Sequence, residues 1–481
     1  MALMLIVALP LLATLLCWIA PLRRFSWGIT LASTWVVFAL TLLTWHDVLA
    51  TGRIVGVPRW FEADGFGVLV LTIVAFVTAL ASVFAGGYMR RREHDPGRIW
   101  WFYCNYNLFA FSLLVVPALA DPNLVWVGVE LVTLFAILLV GFEETTTALE
   151  AAWKYAVLTM MGAPISLLGF FVLFWAYHSV PGGGPETWQS LQSAASRMDP
   201  SLLRLSFLLV LVGFGAKTGL APVHTWLPDA HSQAPSPVCA VLSGVKTSIP
   251  LYAILRVFSV LLASPAARMG VWITVVGLLS VGIAAFLLLQ VRDYKRMFAY
   301  STVEHMGIIL VGAGLATRAA DLGAVSQMVN HAITKSLCFY VAGAVLLALS
   351  TREIRTVRGL LRISPFAGSA LLLCSLAIAG APPFPIFLSE FSILSAGIRA
   401  GQYAVVGVLA TLIVIAFVAI LMQVNRMVFG ESVEGQHVEP LPASCRIAVI
   451  GAVIPVLVLG VYIPAPVNAL LQLAASQLGG H

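Results

Sequence analysis

The stretch SFLLVLVGFGAKTGLAPVHTWLPDA, residues 206–230, decides how this chain is read. It opens as a membrane helix, with an unbroken apolar run as far as Val212. Gly213, Gly215, Gly219 and Pro222 then arrive at mid-depth with Lys217 among them. Proline removes a backbone donor and breaks the helical ladder, which lipid tolerates only where protein or a wet cavity satisfies the freed groups. A second stretch repeats this chemistry. In LLLCSLAIAGAPPFPIFLSEFSIL, residues 371–394, Gly380, Pro382, Pro383 and Pro385 precede Glu390. Both segments read as discontinuous helices with an ionisable group at the break.

Working outward, the rest of the chain has the same character. Hydrophobic residues make up 60% and charged residues 10% of its 481 positions, and mean hydropathy is +0.97. That composition defines a polytopic membrane protein. Apolar runs with helical composition fall near 3–20, 27–46, 67–84, 101–119, 123–141, 153–178, 203–229, 237–260, 270–290, 298–315, 322–348, 367–398, 403–428 and 446–463. These predict an all-α integral membrane protein of about 14 transmembrane helices. Runs seven and twelve, the broken pair, are five apart. An odd offset requires the repeated units to be inverted, as in transporters whose ion sites lie at discontinuous helices. The expected divisions are 1–100 (helices 1–3), 101–262 (helices 4–8, first repeat), 268–430 (helices 9–13, second repeat) and 431–481 (helix 14 and a short tail).

Arginine placement sets the expected orientation. Arg23 and Arg24, Arg90–Arg92 and Arg98, Arg292 and Arg296, Arg352, Arg355, Arg358 and Arg362, and Arg426 and Arg446 fall on one side. Arg53, Arg59, Arg197, Arg204, Arg268, Arg318 and Arg399 fall on the other, a bias of roughly two to one. Both termini are therefore expected outside a bacterial inner membrane. The start, MALMLIVALPLLATLLCWIAPLRR, has its arginines after the apolar run and reads as a first helix, not a secretory signal. A net charge of +6 reflects this topology rather than nucleic-acid binding, since no basic, aromatic-interleaved face exists outside the runs.

Three of the five lysines, Lys217, Lys246 and Lys335, lie inside apolar runs, as do Glu130 and Glu390. A charge near the bilayer centre costs at least about 2.5–3.5 kcal/mol on the mildest scale, so such residues line polar paths. Five of them, of both signs, read as a wire for protons or small cations. Glu130 and Lys217 share a depth, so either a switchable carboxylate loads and unloads the lysine, or the two form a permanent structural ion pair. His305 follows Glu304 and suits a relay between lysines, with a hydrogen-bonded core histidine as the other reading. His331 and Lys335 share a helix face at i and i+4. Lysine is no substitute for the second ligand of an HxxxH zinc pair, so no metal is expected. His224, Asp229 and His231 read as break and loop residues at the cytoplasmic mouth, secondary candidates for pathway or gating. Six scattered cysteines with no CxxC exclude an iron–sulfur frame, and no nucleotide or dinucleotide motif is present, so no cofactor is expected.

Four passages, GAKTGLAPVHTWLPDAHSQAPSPVCAVLSGVK (215–246), DYKRMFAYSTVEHMGIIL (293–310), NHAITKSLCFYVAG (330–343) and GAPPFPIFLSEFSIL (380–394), carry a family likeness. Through them the chain resembles the antiporter-like membrane subunits shared by respiratory complex I, multi-subunit sodium/proton antiporters and group 4 membrane-bound hydrogenases. YSTVEHMGII and the glutamate at 390 most resemble the F-type subunit of hydrogenase-4 and formate hydrogenlyase complexes. The resemblance implies a central hydrophilic axis through Glu130, Lys217, Lys246, His305 and Glu390, with Lys335 in the eleventh helix. It implies a non-catalytic, proton-translocating subunit whose partners are other membrane subunits, a peripheral redox module and the lipid bilayer. A subunit of a cation/proton antiporter or of an ion-coupled inorganic carbon uptake system is the alternative, and an inert membrane anchor a third. Sodium in place of protons stays open, because no dedicated oxygen cage is visible.

Overall fold

A computed structural model describes residues 1–182, 184–431 and 438–479. Its elements, in order, are α1 (Ala2–Trp18), α2 (Ser26–Thr51), β1 (Arg53–Val57), β2 (Phe61–Asp64), α3 (Gly65–Arg92), α4 (Pro96–Val115), α5 (Pro122–Val140) and α6 (Thr146–His178). There follow α7 (Trp188–Ala194), α8 (Pro200–Thr218), α9 (Trp226–Gln233), α10 (Ser236–Val241), α11 (Ser248–Leu262), α12 (Gly270–Leu288), α13 (Tyr294–Gly314) and α14 (Arg318–Leu349). The last are α15 (Leu360–Ile363), α16 (Pro365–Ile378), α17 (Pro385–Arg399), α18 (Tyr403–Phe429), α19 (Ala443–Val461) and α20 (Ala465–Gly479).

Several helix starts are written in the sequence as Asp-Pro. Asp95, Asp121 and Asp199 each accept a backbone N–H of the turn they open, with Pro96, Pro122 and Pro200 next in line. The aspartate satisfies an orphan donor and the proline occupies a position whose N–H has no partner anyway. Among the described residues eleven helical segments are long and apolar enough to cross a membrane. The fourteen expected runs exceed these at α1 and α16, which are shorter apolar helices, and at α13, where Glu304 and His305 dilute the apolar run.

The two expected breaks are present. α8 stops at Thr218 and α9 begins at Trp226, while α16 stops at Ile378 and α17 begins at Pro385. Each first half ends on a glycine in the left-handed region, Gly219 at φ 86° and Gly380 at φ 79°, a conformation glycine adopts at no steric cost. The half-helices run in opposite senses. α8 starts near the hairpin, where Gln189 Oε1 accepts from Arg53, whereas α16 starts at the opposite, arginine-rich end after the Arg352–Arg362 segment. That is the inverted polarity an odd offset requires.

Three segments differ from the expected loop, regular span and tail. Residues 53–64 form an antiparallel hairpin with Arg53 opposite Asp64 and Ile54 opposite Ala63. Asp64 then caps α3 through Gly67 N at 2.9 Å and receives both terminal nitrogens of Arg256. The eighth run is not one regular helix, because Leu242–Lys246 is an i→i+5 turn between α10 and α11. The tail forms α20, which buries Leu470, Leu471, Ala474 and Leu478 and accepts Phe66 N on Gln477 Oε1 at 2.9 Å. A fifteen-residue amphipathic helix gave too short a periodic signal to be told from a polar tail. Of the 431–481 division, residues 432–437 and 480–481 lie outside the described residues.

Helices α10, α11 and α14 are almost wholly enclosed, whereas α2, α18 and α19 keep most of their apolar surface outward, as lipid-facing helices do. Close approach inside the bundle depends on paired glycines. A Cβ on Gly213 would meet Gly162 O at 2.5 Å, and one on Gly307 would meet Gly277 O at 2.6 Å, each reciprocally. Small residues let backbones touch where lipid offers no hydrophobic drive between helices. Gly307→Ala and Gly213→Ala are therefore expected to destabilise by about 1–3 kcal/mol each through overpacking. Gly407→Ala, with nothing within 4 Å, should be neutral or gain up to about 1 kcal/mol from helix propensity. Thermal unfolding of the detergent-solubilised protein distinguishes the three.

Candidate functional site

A helix that ends in the membrane interior leaves its last carbonyls without intrahelical donors. At the first break three of the last four carbonyls of α8 have identified donors. Gly215 O accepts Gly219 N at 3.0 Å and Leu220 N at 2.9 Å. Ala216 O accepts the indole N–H of Trp226 at 2.8 Å, and Lys217 O accepts Lys246 Nζ at 2.8 Å. Lys246 thus closes the α8 terminus with a cation, the sign its dipole favours. Its ammonium also lies 4.2 Å from the Trp226 ring and 4.8 Å from that of Tyr155, a cation–π cage.

The side chain of Lys217 turns the other way. Its Nζ donates to Glu130 Oε2 at 3.0 Å and to Thr133 Oγ1 at 3.1 Å. Thr133 is one turn beyond Glu130 on α5, so both acceptors share a face. Lys217 is fully buried and Glu130 is 24% exposed, so the pair has one dry member and one that reaches the edge of the packing.

The second break uses the same device with a histidine. Ile378 O, at the end of α16, accepts His305 Nε2 at 3.0 Å. A carbonyl only accepts, which places that proton on Nε2 and leaves Nδ1 to accept from Gln327 Nε2 at 2.9 Å. Gln327 Oε1 in turn receives Ser389 Oγ, and Asn330 Nδ2 donates to Ser389 Oγ at 3.1 Å and Pro385 O at 2.7 Å. Glu390 Oε1 stands 3.8 Å from His305 Nδ1. Its other oxygen rests where a Cβ on Gly380 would sit 2.5 Å away, so Gly380 serves both the turn and the carboxylate.

The i→i+5 turn joins the two halves. Thr247 N bonds back to Leu242 O at 3.3 Å, which frees Ser243 O to accept His331 Nε2 at 3.1 Å. The rings of His331 and His305 have centroids 5.4 Å apart. One turn along α14, Lys335 Nζ donates to Phe298 O at 2.6 Å and to Ser301 Oγ. Glu304 is buried, with Oε2 bonded to no described protein atom.

The structure therefore groups Glu130, Lys217 and Lys246 at the first break and His331, His305 and Glu390 at the second, the two groups meeting at the Leu242–Lys246 turn, with Lys335 and Glu304 buried one helical turn from His331 and beside His305. Asp229 is apart, at the arginine-rich end, where it bridges Lys154 Nζ at 3.2 Å and Arg296 Nη2 at 2.8 Å. His224 and His231 differ from the expected mouth position. Both are buried, and His231 Nδ1 donates to Leu227 O at 2.7 Å between the rings of Trp226 and Phe339. Trp226, Tyr155, Thr133, Ser243, Gln327, Asn330 and Ser389 were not singled out from sequence. Only Gln327 carried a signal, standing four residues before His331 and eight before Lys335 on one face of α14. Among the described residues no cluster of three His, Cys, Asp or Glu side chains forms a metal site.

This arrangement, a multi-pass bundle with two broken helices and a buried ionisable axis, is that of an antiporter-like membrane subunit. A profile of the family described as NADH:quinone oxidoreductase/Mrp antiporter, transmembrane, matches residues 121–416, and the chain belongs to that family. It is 34% identical over 379 residues to a Hydrogenase-4 component F homolog of Methylacidiphilum infernorum, covering 77% of this chain and 79% of that protein. It is 31% identical over 346 residues to Hydrogenase-4 component B of Escherichia coli, covering 68% of this chain but 49% of that protein. A chain in the structure of the membrane-bound sulfane sulfur reductase, an archaeal respiratory membrane complex, shares the fold. It superposes with a TM-score of 0.88 over 99% of this chain and 97% of that one, at 23% identity.

A double-mutant cycle measures the first-half pair. Glu130→Gln, Lys217→Met and their combination should give a coupling free energy of about 0.5–3 kcal/mol in thermal unfolding, with the double variant more stable than either charge left alone.

Proposed function

We propose that this chain is the proton-translocating, antiporter-like subunit of a redox-driven membrane complex of the hydrogenase-4 type. Glu130, Lys217, Lys246, His305, Lys335 and Glu390 are its proton-bearing groups, with His331 and Glu304 adjoining them. His224, Asp229 and His231 act in gating or access. The observation that carries this reading is the pair of buried ionisable clusters at the two helix breaks, Glu130, Lys217 and Lys246 at one and His331, His305 and Glu390 at the other, joined through the Leu242–Lys246 turn. Two unit charges 4 Å apart interact by about 4 kcal/mol at an effective dielectric near 20, so drawing Glu130 away from Lys217 is enough to drive a proton between neighbours. Likeness to two hydrogenase-4 components supports the assignment.

In this proposal residues 101–262 and 268–430 are the two inverted five-helix units of a fourteen-span subunit, and both termini face outward from a bacterial inner membrane. Other membrane subunits flank the chain, and a peripheral redox module supplies the electron chemistry. The second reading is a cation/proton antiporter subunit without redox partners, supported by the Mrp antiporters that share the family. Subunits that co-purify in mild detergent separate the two: hydrogenase-like large and small subunits support the first, further antiporter subunits the second.

Neutralising the axis should uncouple transport without preventing assembly, since a buried charge is costly to keep. Lys217→Ala, Glu390→Gln and Lys335→Ala are each expected to assemble and to lose most proton movement in reconstituted vesicles. Arg197→Ala, exposed on a loop, should pump normally. Unmodified pumping in both Lys217→Ala and Glu390→Gln would make the chain a scaffold.

A further inference from the structure

Some cations at the arginine-rich end are matched. Arg91 pairs with Glu439, Arg92 with Glu143, Arg98 with Glu93, and Arg296 with Asp229. Four of the others share one place. Arg292, Arg355, Arg358 and Arg426 line one open basin of about 600 Å³ with Gln290 and Gln423. Among the described residues no carboxylate lies within ion-pair distance of any of the four.

The basin is built rather than accidental. Its floor is the strap 350–359 stitched to the start of α13, with Ile354 N bonded to Arg292 O at 2.9 Å and Tyr294 N to Arg352 O at 3.2 Å. Arg358 Nε donates to Arg355 O at 3.0 Å, which fixes the Arg358 side chain on the strap. The wall is the last turns of α18, which carry Gln423 and Arg426. Four arginines lining one basin, with no carboxylate paired to them among the described residues, suit a multiply charged oxyanion, which arginine binds through paired N–H donors.

Position selects which oxyanion. The basin sits where α12 and α18 end, and both helices present apolar side chains outward on the way to it. Phe286 and Leu289 on the α12 side are 56% and 45% exposed, and Met422 and Phe429 on α18 are 49% and 55% exposed. A phosphate with acyl chains attached meets both halves of this surface, the head group in the basin and the chains along the two helices. The geometry points to a binding site for the phosphate head group of an anionic phospholipid, formed by Arg292, Arg355, Arg358 and Arg426.

The test uses the intact purified complex, delipidated and titrated with phosphatidylglycerol, phosphatidylcholine or inorganic phosphate while bound lipid is counted by native mass spectrometry. Phosphatidylglycerol should be retained in preference to phosphatidylcholine. Arg355→Gln/Arg358→Gln/Arg426→Gln should lower that retention about tenfold or more, whereas the corresponding lysine variant keeps much of it. The three side chains are exposed, and an unchanged melting temperature shows the variant is folded. Unaltered retention in the glutamine variant overturns the proposal. So does displacement of the lipid by inorganic phosphate at equal concentration, which marks a soluble-anion site. Cross-linking of position 355 to an acidic segment of a neighbouring subunit, with no lipid bound, also overturns it.

Discussion

A backbone carbonyl freed inside a membrane has no water to turn to, and this constraint organises the protein. Each place where a helix is interrupted exposes such an oxygen, and each is met by an ionisable side chain from a neighbouring span. Lys246 closes α8 at Lys217 O, His305 closes α16 at Ile378 O, and His331 takes the Ser243 carbonyl released by the i→i+5 turn. Lys335 instead bonds a carbonyl inside the continuous helix α13, that of Phe298. The charged groups are thus not passengers in an apolar bundle. Three of them satisfy the backbone at the points where it is broken, and the breaks in turn give them polar partners in a medium where a lone charge is expensive. Site and fold are one solution to one problem.

The two halves apply that solution differently. In the first, a formed ion pair between Lys217 and Glu130 sits beside the cation that caps the helix. In the second, His305 is held by a carbonyl on one side and an amide on the other, and Glu390 stands just beyond hydrogen-bond reach. The first half thus holds its carboxylate in a short ion pair and the second holds its own at a longer distance from a histidine. Between them the close rings of His305 and His331 span the junction.

Much of this was legible in the sequence for physical reasons. Lysines and glutamates inside apolar runs identify themselves by what they cost, and Gly219–Pro222 and Gly380–Pro385 mark breaks because proline removes a donor and glycine takes the left-handed turn. What stayed hidden was neutral or remote. Trp226, Ser243, Ser389 and Asn330 are unremarkable residue types whose roles arise only when a distant carbonyl comes within reach. The buried setting of His224 and His231 was missed because PVHTWLPDAHSQAP is locally polar, and local polarity reads as a mouth. In the structure α9 folds inward beneath Tyr155 and Phe339. The hairpin at 53–64 and the helix at 465–479 were too short for periodicity to declare them.

The account stands or falls on whether Glu390 changes its protonation when a proton gradient is imposed. Infrared difference spectroscopy on the reconstituted complex, with the glutamate carboxyl carbons isotope-labelled, reads this directly. The account predicts a carboxyl C=O band that appears or vanishes with the gradient and is missing in Glu390→Gln. A difference spectrum identical in the unmodified protein and in Glu390→Gln would contradict it.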